Sequence, residues 1–235
     1  MSTWADGTLY GFDLETDSPN PDDARIITAC VGVASPDGWQ ARTWLLEPER
    51  DIPEQATAVH GITTEMARID GAPREASVQE IADQLAEAWT LGLPVVGHNI
   101  VYDLTVLDRE LRRLGREPLT IDGPVIDTLV LDKAVDRYRR GSRKLADVAA
   151  FYGFGQIDAH DAEADVRAAC RVAWRIAKNY AEVGQMDLRD LHIFQVKEFE
   201  AQRRSFAEYR RRKGEPLDDE STDWPLRPYA EQVEA

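Results

Sequence analysis

Leu93-Pro94-Val95-Val96-Gly97-His98-Asn99-Ile100-Val101-Tyr102-Asp103 is the stretch on which the reading of the fold turns. Its first half is short, apolar and ends on glycine, as a buried strand does. A polar turn follows, and Leu104, Leu107, Leu111 and Leu114 then recur at helical spacing. Upstream the chain reads differently. Leu9 to Asp13, Ile26 to Val33 and Arg42 to Leu46 are β-rich runs separated by the turn-forming stretches Pro19 to Asp23 and Ser35 to Gly38, which predicts three antiparallel strands. Between the two regions, Ser77-Val78-Gln79-Glu80 has the form of a capping box ahead of Ile81, Leu85 and Trp89, which predicts a helix starting there. Downstream, Lys144 to Tyr152 and the alanine-rich Ala162 to Val183 are again helical by pattern. Antiparallel strands followed by alternating helix and buried strand predict an α/β protein built on a mixed sheet.

The composition narrows the class. The 235 residues are 43% hydrophobic, enough for one packed domain with an appendage, and 28 basic against 43 acidic side chains give a net charge of −15. That balance argues against a cationic nucleic-acid coat or a membrane-surface protein, while leaving room for a local basic groove. Only Cys30 and Cys170 are present, so neither a disulfide framework nor a four-thiolate zinc site can be built, and a reducing cytoplasm is the expected compartment. Met1 to Asp17 carries four acids instead of a basic then apolar leader, and no apolar run is long enough to span a bilayer, so no export and no membrane are expected. Near the C-terminus the charge swings. Residues 201–213 sum to +5, and residues 214–235 to −6 with three prolines, which predicts a loosely ordered acidic tail.

Three segments could carry chemistry. Asp13-Leu14-Glu15 closes the first strand, and the period of two points both carboxylates to one face. Asp103 projects from the first turn of the helix after the buried strand, and His160-Asp161-Ala162-Glu163-Ala164-Asp165 opens the long helix. Each has an ordinary alternative: a solvated strand end, a helix cap at Asn99 or Asp103, an acidic helix N-terminus favoured by the macrodipole. Together they say more. Four acids at the boundaries of three core elements, with one histidine, suit phosphodiester hydrolysis assisted by two hard divalent ions, Mg²⁺ or Mn²⁺, which take oxygen ligands and clamp attacking and leaving oxygens. A histidine titrating near neutrality can accept the proton of the attacking water.

The ordered set Asp13-Leu14-Glu15-Thr16, Val59-His60-Gly61-Ile62-Thr63, His98-Asn99-x-x-Tyr102-Asp103 and His160-Asp161-Ala162-x-x-Asp165 resembles the DEDDh exonucleases, the DnaQ-like and RNase T group that includes the proofreading subunits of bacterial replicative polymerases. The resemblance covers roughly residues 8–180. It implies a ribonuclease H-like fold, a mixed five-stranded sheet flanked by helices, and metal-dependent removal of nucleotides from the 3′ ends of single-stranded DNA. By position it makes Asp13, Glu15, Asp103 and Asp165 the metal ligands and His160 the general base. It also places Thr16 where the backbone contacts the terminal nucleotide, His60 in the segment that lines the nucleotide pocket, and Asn99 and Asp127 at positions that support the metal ligands, Asn99 also on the side of the substrate. Ile100 and Tyr102 depart from the usual alanine and phenylalanine of the group, which bears on pocket shape. The chain divides on this reading into an exonuclease domain (1–183), a C-terminal helical extension (184–213) and the acidic tail (214–235).

Arg137, Arg139, Arg140, Arg143 and Lys144 run without an intervening acid and are the first candidates for gripping phosphates, with the 201–213 cluster as a second. No Gly-Lys-Ser/Thr loop, third Rossmann glycine or Gly-x-Ser-x-Gly elbow occurs, which removes nucleotide-driven motors, dinucleotide oxidoreductases and serine hydrolases. An RNA-directed 3′ exonuclease and a non-catalytic module that binds ends or a DNA polymerase are the alternatives within the same fold.

Overall fold

The structure, a computed structural model, describes residues 3–155, 161–215, 217 and 221–229. Strands β1 (Leu9–Thr16), β2 (Ile26–Ser35) and β3 (Gly38–Leu45) form an antiparallel meander, and β4 (Val95–Gly97) and β5 (Val125–Asp127) extend it in parallel. The order β3-β2-β1-β4-β5 places β1 at the junction between the antiparallel and parallel halves. This is the mixed sheet that the strand patterns and their alternation with helices foretold, with the five strands that the resemblance to the DEDDh exonucleases implied.

Helices cover both faces. On one side α3 (Arg74–Thr90) and α4 (Val101–Arg113) bury Ile81, Leu85, Leu104 and Leu107 against Phe12, Leu14 and Val31. On the other, α5 (Thr128–Val135), α6 (Leu145–Phe151) and α7 (Ala162–Asn179) pack Leu131, Val148, Val172 and Ile176 over Leu9, Val96 and Ile126. The short helices α1 (Glu54–His60) and α2 (Thr64–Asp70) fill the crossover from β3 to α3.

Gly11 decides how closely α7 approaches. A Cβ there would stand 2.5 Å from Val166 Cγ1 and 2.7 Å from Cys170 Sγ, so only glycine lets the helix lie on β1. Asp13 and Glu15 follow Gly11 at the strand period and share its face. The same contact therefore carries Asp165, one turn into α7, toward both carboxylates.

Several expected boundaries shift. Helix α3 starts at Arg74, before the Ser77 capping box, because buried Arg74 is anchored by Glu110 at 3.0 Å and by the Ile26 carbonyl at 2.8 Å. Ser77 instead donates its hydroxyl to the Pro73 carbonyl at 3.0 Å. The helical run 162–183 breaks at Tyr180, and its remainder is α8 (Ala181–Gly184). Helix α9 (Leu188–Arg212) fills the expected extension and docks on the sheet edge: buried Gln195 donates to the Val125 carbonyl at 2.9 Å and accepts from the Asp127 N–H at 2.7 Å.

The expectation of a loose tail is corrected for residues 221–229, which pack over α4. Trp224 is buried against the α3–α4 core, the Arg227 N–H donates to Thr105 Oγ1 at 3.2 Å, Arg109 donates to the Pro228 carbonyl at 2.8 Å, and the Arg112 guanidinium lies 4.3 Å from the Tyr229 ring centre. One tryptophan and two arginine–backbone or arginine–ring attachments outweigh the acidic, proline-rich composition on which that expectation rested. Among the described residues no helix is long and apolar enough to cross a membrane.

Candidate active site

The carboxyl ends of β1 and β4 and the start of α7 converge on one open cleft of about 920 Å³. Its floor is acidic. Asp13, Glu15 and Asp165 each offer a carboxylate oxygen, and these oxygens all lie within 4.8 Å of one another. Asp103, buried in the first turn of α4, joins from the side, its Oδ1 accepting the Leu14 N–H at 3.1 Å, so the strand residue between Asp13 and Glu15 fixes its position.

Packing like charges in a half-buried site has an electrostatic cost. Burial, then the charges of Asp103, Asp165 and Glu15, pushes Asp13 well above the ordinary carboxylate range. Burial and Asp165 push Glu15 up to about 7. Burial also holds Asp103 well above its usual value despite the opposing hydrogen bond from Leu14, with the charges of Asp127 and Glu15 adding to the rise. A divalent cation between these oxygens would reverse all three effects. The donor set fits one: it is all oxygen, which suits a hard ion such as Mg²⁺ or Mn²⁺ and not a thiolate- or imidazole-seeking metal.

The walls use the softer sequence candidates. Thr16 donates its hydroxyl to the Ser18 carbonyl at 3.1 Å and meets the Tyr102 hydroxyl, which bonds the same carbonyl, so the Tyr102 departure from phenylalanine ties the β1 exit to α4. His60 ends α1, with Nδ1 accepting the Ile62 N–H at 3.1 Å, and Gly61 follows at φ 76°, a left-handed cap that glycine adopts without strain. Asn99 sits at φ 67° and donates its N–H to Asp127 Oδ1 at 2.9 Å, while the same oxygen caps α5 through Leu129 and Val130. Asp127 thus stands behind the turn that presents Asn99 and Asp103. His98 bonds Thr128 Oγ1 and the Arg143 carbonyl, both at 2.8 Å, and burial lowers its pKa; the carbonyl can only accept, so the neutral ring carries its proton on Nε2.

The arginine run divides. Arg139 and Arg143 turn inward onto buried Asp132, Arg143 at 2.6 Å, and the Arg139 guanidinium lies 4.0 Å from the Phe151 ring centre. They are 11% and 14% exposed, so the expectation that they grip phosphates is corrected: a buried carboxylate already engages them. Arg137 and Arg140 remain exposed. His160, the expected base, lies outside the described residues.

Sequence reasoning missed Arg50, which lines the cleft and is held by Asp17 at 2.6 Å and Asp23 at 2.9 Å. It stands in an irregular stretch between β3 and α1, where no periodicity or spacing marks it.

With this geometry in place, the profile of an exonuclease family, RNase T, matches residues 11–173. The chain belongs to the exonuclease family. The DnaQ-like resemblance read from the four motifs thus holds. A DNA polymerase III subunit epsilon of Treponema pallidum is 28% identical over 158 residues, 66% of this chain and 70% of that protein. A DNA polymerase III subunit epsilon-like protein of Rhodobacter capsulatus is 33% identical over 132 residues, 54% of this chain and only 18% of that protein's length. A PolC-type DNA polymerase III of Thermotoga maritima is 26% identical over 81% of this chain and 13% of its own length. Among solved structures, Escherichia coli exonuclease I in complex with single-stranded DNA aligns at TM-score 0.64 and 21% identity, covering 74% of this chain and 41% of that one. That likeness establishes the ribonuclease H-like fold.

Proposed function

We propose that the protein is a metal-dependent 3′-to-5′ exonuclease that removes nucleoside 5′-monophosphates from the ends of single-stranded DNA. The observation that carries this reading is the convergence of Asp13, Glu15 and Asp165, with Asp103 beside them, on the floor of an open cleft. Asp13, Glu15, Asp103 and Asp165 would hold two divalent ions. When bound, those ions supply positive charge where the scissile phosphate becomes more negative and make a bound water easier to deprotonate.

The chain's own residues do the rest. His160 accepts the proton of the attacking water. Asp103, locked to the β1 backbone, keeps the carboxylates in register. Thr16 and His60 line the pocket for the terminal nucleotide, and Asn99 faces the strand as it leaves. Arg137 and Arg140, both exposed, attract phosphates without reading sequence. Cys30 and Cys170 are buried free thiols, which is compatible with the reducing, cytoplasmic setting proposed for the chain. The names of the sequence relatives make a DNA polymerase the macromolecular partner to test.

Digestion of 3′-labelled single-stranded DNA, duplex DNA and RNA in parallel tests the substrate. Label is released fastest from single-stranded DNA in Mg²⁺ or Mn²⁺. Faster release from RNA would transfer the assignment to an RNA-directed enzyme, and release from none of the three would remove it.

A further inference from the structure

The cleft does not end at Asn99. That residue also lines a second cavity, of about 160 Å³, enclosed between α5 and α9 by Lys133, Phe199, Gln202, Arg203 and Phe206. Gln202 donates to the Val130 carbonyl at 3.0 Å and holds α9 against α5 at this point. Beyond the cavity the same side of α9 continues outward: Phe206 and Tyr209 are 46% and 43% exposed and stack with ring centres 6.5 Å apart and planes at 21°. Lys213 Nζ lies 4.9 Å from the centre of the Tyr209 ring. Large exposed rings in a chain of charge −15 stand here within a 13-residue stretch, 201–213, whose own charge is +5. Aromatic faces alternating with cations, on a surface that opens into a cleft for nucleic acid, match the chemistry of a single strand: bases that stack and phosphates that need neutralising.

We propose that the face of α9 that runs outward from the cavity, from half-buried Phe199 at its inner end through Arg203, Phe206 and Tyr209 to Lys213, is a second subsite that holds the single strand 5′ to the residue being cleaved. This subsite rests on the exonuclease reading of the cleft and extends it. The strand passes Asn99, enters the cavity beside Lys133, and runs along α9 with a base on Phe206 or Tyr209. From residue 199 to residue 213 the helix rises about 21 Å, which limits the subsite to roughly six nucleotides. The device is sequence-independent, since every base has a face to stack.

Length dependence tests it. Affinities of the full chain for 5′-labelled oligothymidylates of about three and about twelve nucleotides are measured by fluorescence anisotropy with Ca²⁺ in place of Mg²⁺. The readout is the ratio between the two lengths. The wild-type protein binds the longer strand at least about tenfold more tightly, and Phe206→Ala with Tyr209→Ala brings that ratio close to one, since a stacked base contributes roughly 5- to 100-fold. Neither ring belongs to the buried core, so the far-UV circular dichroism of the variant matches the wild type and its affinity for the three-nucleotide strand is unchanged. Lys213→Glu, also at an exposed position, lowers the ratio in the same direction and flattens its salt dependence. Equal affinity of the wild-type protein for both lengths, or an unchanged ratio in the double variant, overturns the subsite while leaving the exonuclease reading intact. Failure of the wild-type protein to bind either strand or to cleave DNA overturns both.

Discussion

Replacing Glu15 by glutamine should stabilise the metal-free protein, although it removes a residue of the candidate active site. Burial and Asp165 raise Glu15 from an ordinary value of 4.5 to about 7, so the folded protein holds a proton there that the unfolded chain has already released. Stability on this account falls as the pH rises from about 4.5 to about 7, and the full penalty is present above that interval. An interval of about 2.5 pH units corresponds to about 3.4 kcal/mol, an upper bound because Glu15 is only half-buried and solvent screens it; about 1–2 kcal/mol is the expected size. Glutamine keeps the shape and one acceptor oxygen while deleting the charge. Urea unfolding in the presence of chelator should therefore show Glu15→Gln more stable than wild type at pH 8 by that amount, and the two equal near pH 4.5. Adding Mg²⁺ at pH 8 should stabilise wild type more than the variant, because the ion binds the folded carboxylates and not the unfolded chain. A variant less stable than wild type at pH 8, or an equal Mg²⁺ increment in both, would refute the argument that these acids are held together in wait for a cation.

Further expectations follow from single residues. His160→Ala should lower kcat by about 10²- to 10⁴-fold and change strand affinity much less, with the acidic limb of the rate–pH profile lost; an unchanged limb assigns His160 another role. Gly11→Ala should cost about 1–3 kcal/mol in urea unfolding, because its Cβ would meet Val166 and Cys170, and should depress turnover by separating Asp165 from β1. Wild-type stability in that variant would mean that α7 can shift without harm. Neutralising Arg137 and Arg140 together should reduce the slope of log affinity against log salt by about 1.4 for a single strand, equally for unrelated sequences, and an unchanged slope would place the phosphate contacts elsewhere.

Four of the five strands were legible because they announce themselves in two ways: alternation with turn residues in the meander, and a short apolar run bounded by glycine at β4; the three-residue β5 is too short to carry such a pattern. The site was legible because its acids sit at element boundaries, where strand and helix periods fix their direction. What escaped is what depends on tertiary partners. Arg139 and Arg143 read as a solvent-facing run, yet Asp132, itself buried on α5, turns both inward. Asp108, Arg109 and Glu110 lie between the leucines that mark α4, yet all three are buried by distant partners: Arg109 pairs with Asp108 at 2.5 Å and Asp22 at 2.8 Å and donates to the Pro228 carbonyl, while Glu110 pairs with Arg74 at 3.0 Å and accepts the Ile26 N–H. The segment 221–229 read as tail because composition records charge and proline content, while one buried tryptophan decides where the chain lies. The start of α3 was misplaced for a related reason: the local capping box competes with a buried arginine whose partner, Glu110, is 36 residues away.

The central claim is that this acidic cleft removes nucleotides from 3′ ends with the help of divalent ions. A time course with a 5′-labelled single-stranded oligonucleotide, resolved to single nucleotides, tests it most directly, with wild type and Asp13→Asn each in Mg²⁺, Mn²⁺ and chelator. The account predicts stepwise shortening from the 3′ end by wild type in either metal, none in chelator, and at least a hundredfold slower shortening (~10²) by Asp13→Asn. Equal shortening in chelator, internal cuts instead of a ladder from the 3′ end, or full activity in Asp13→Asn would contradict it.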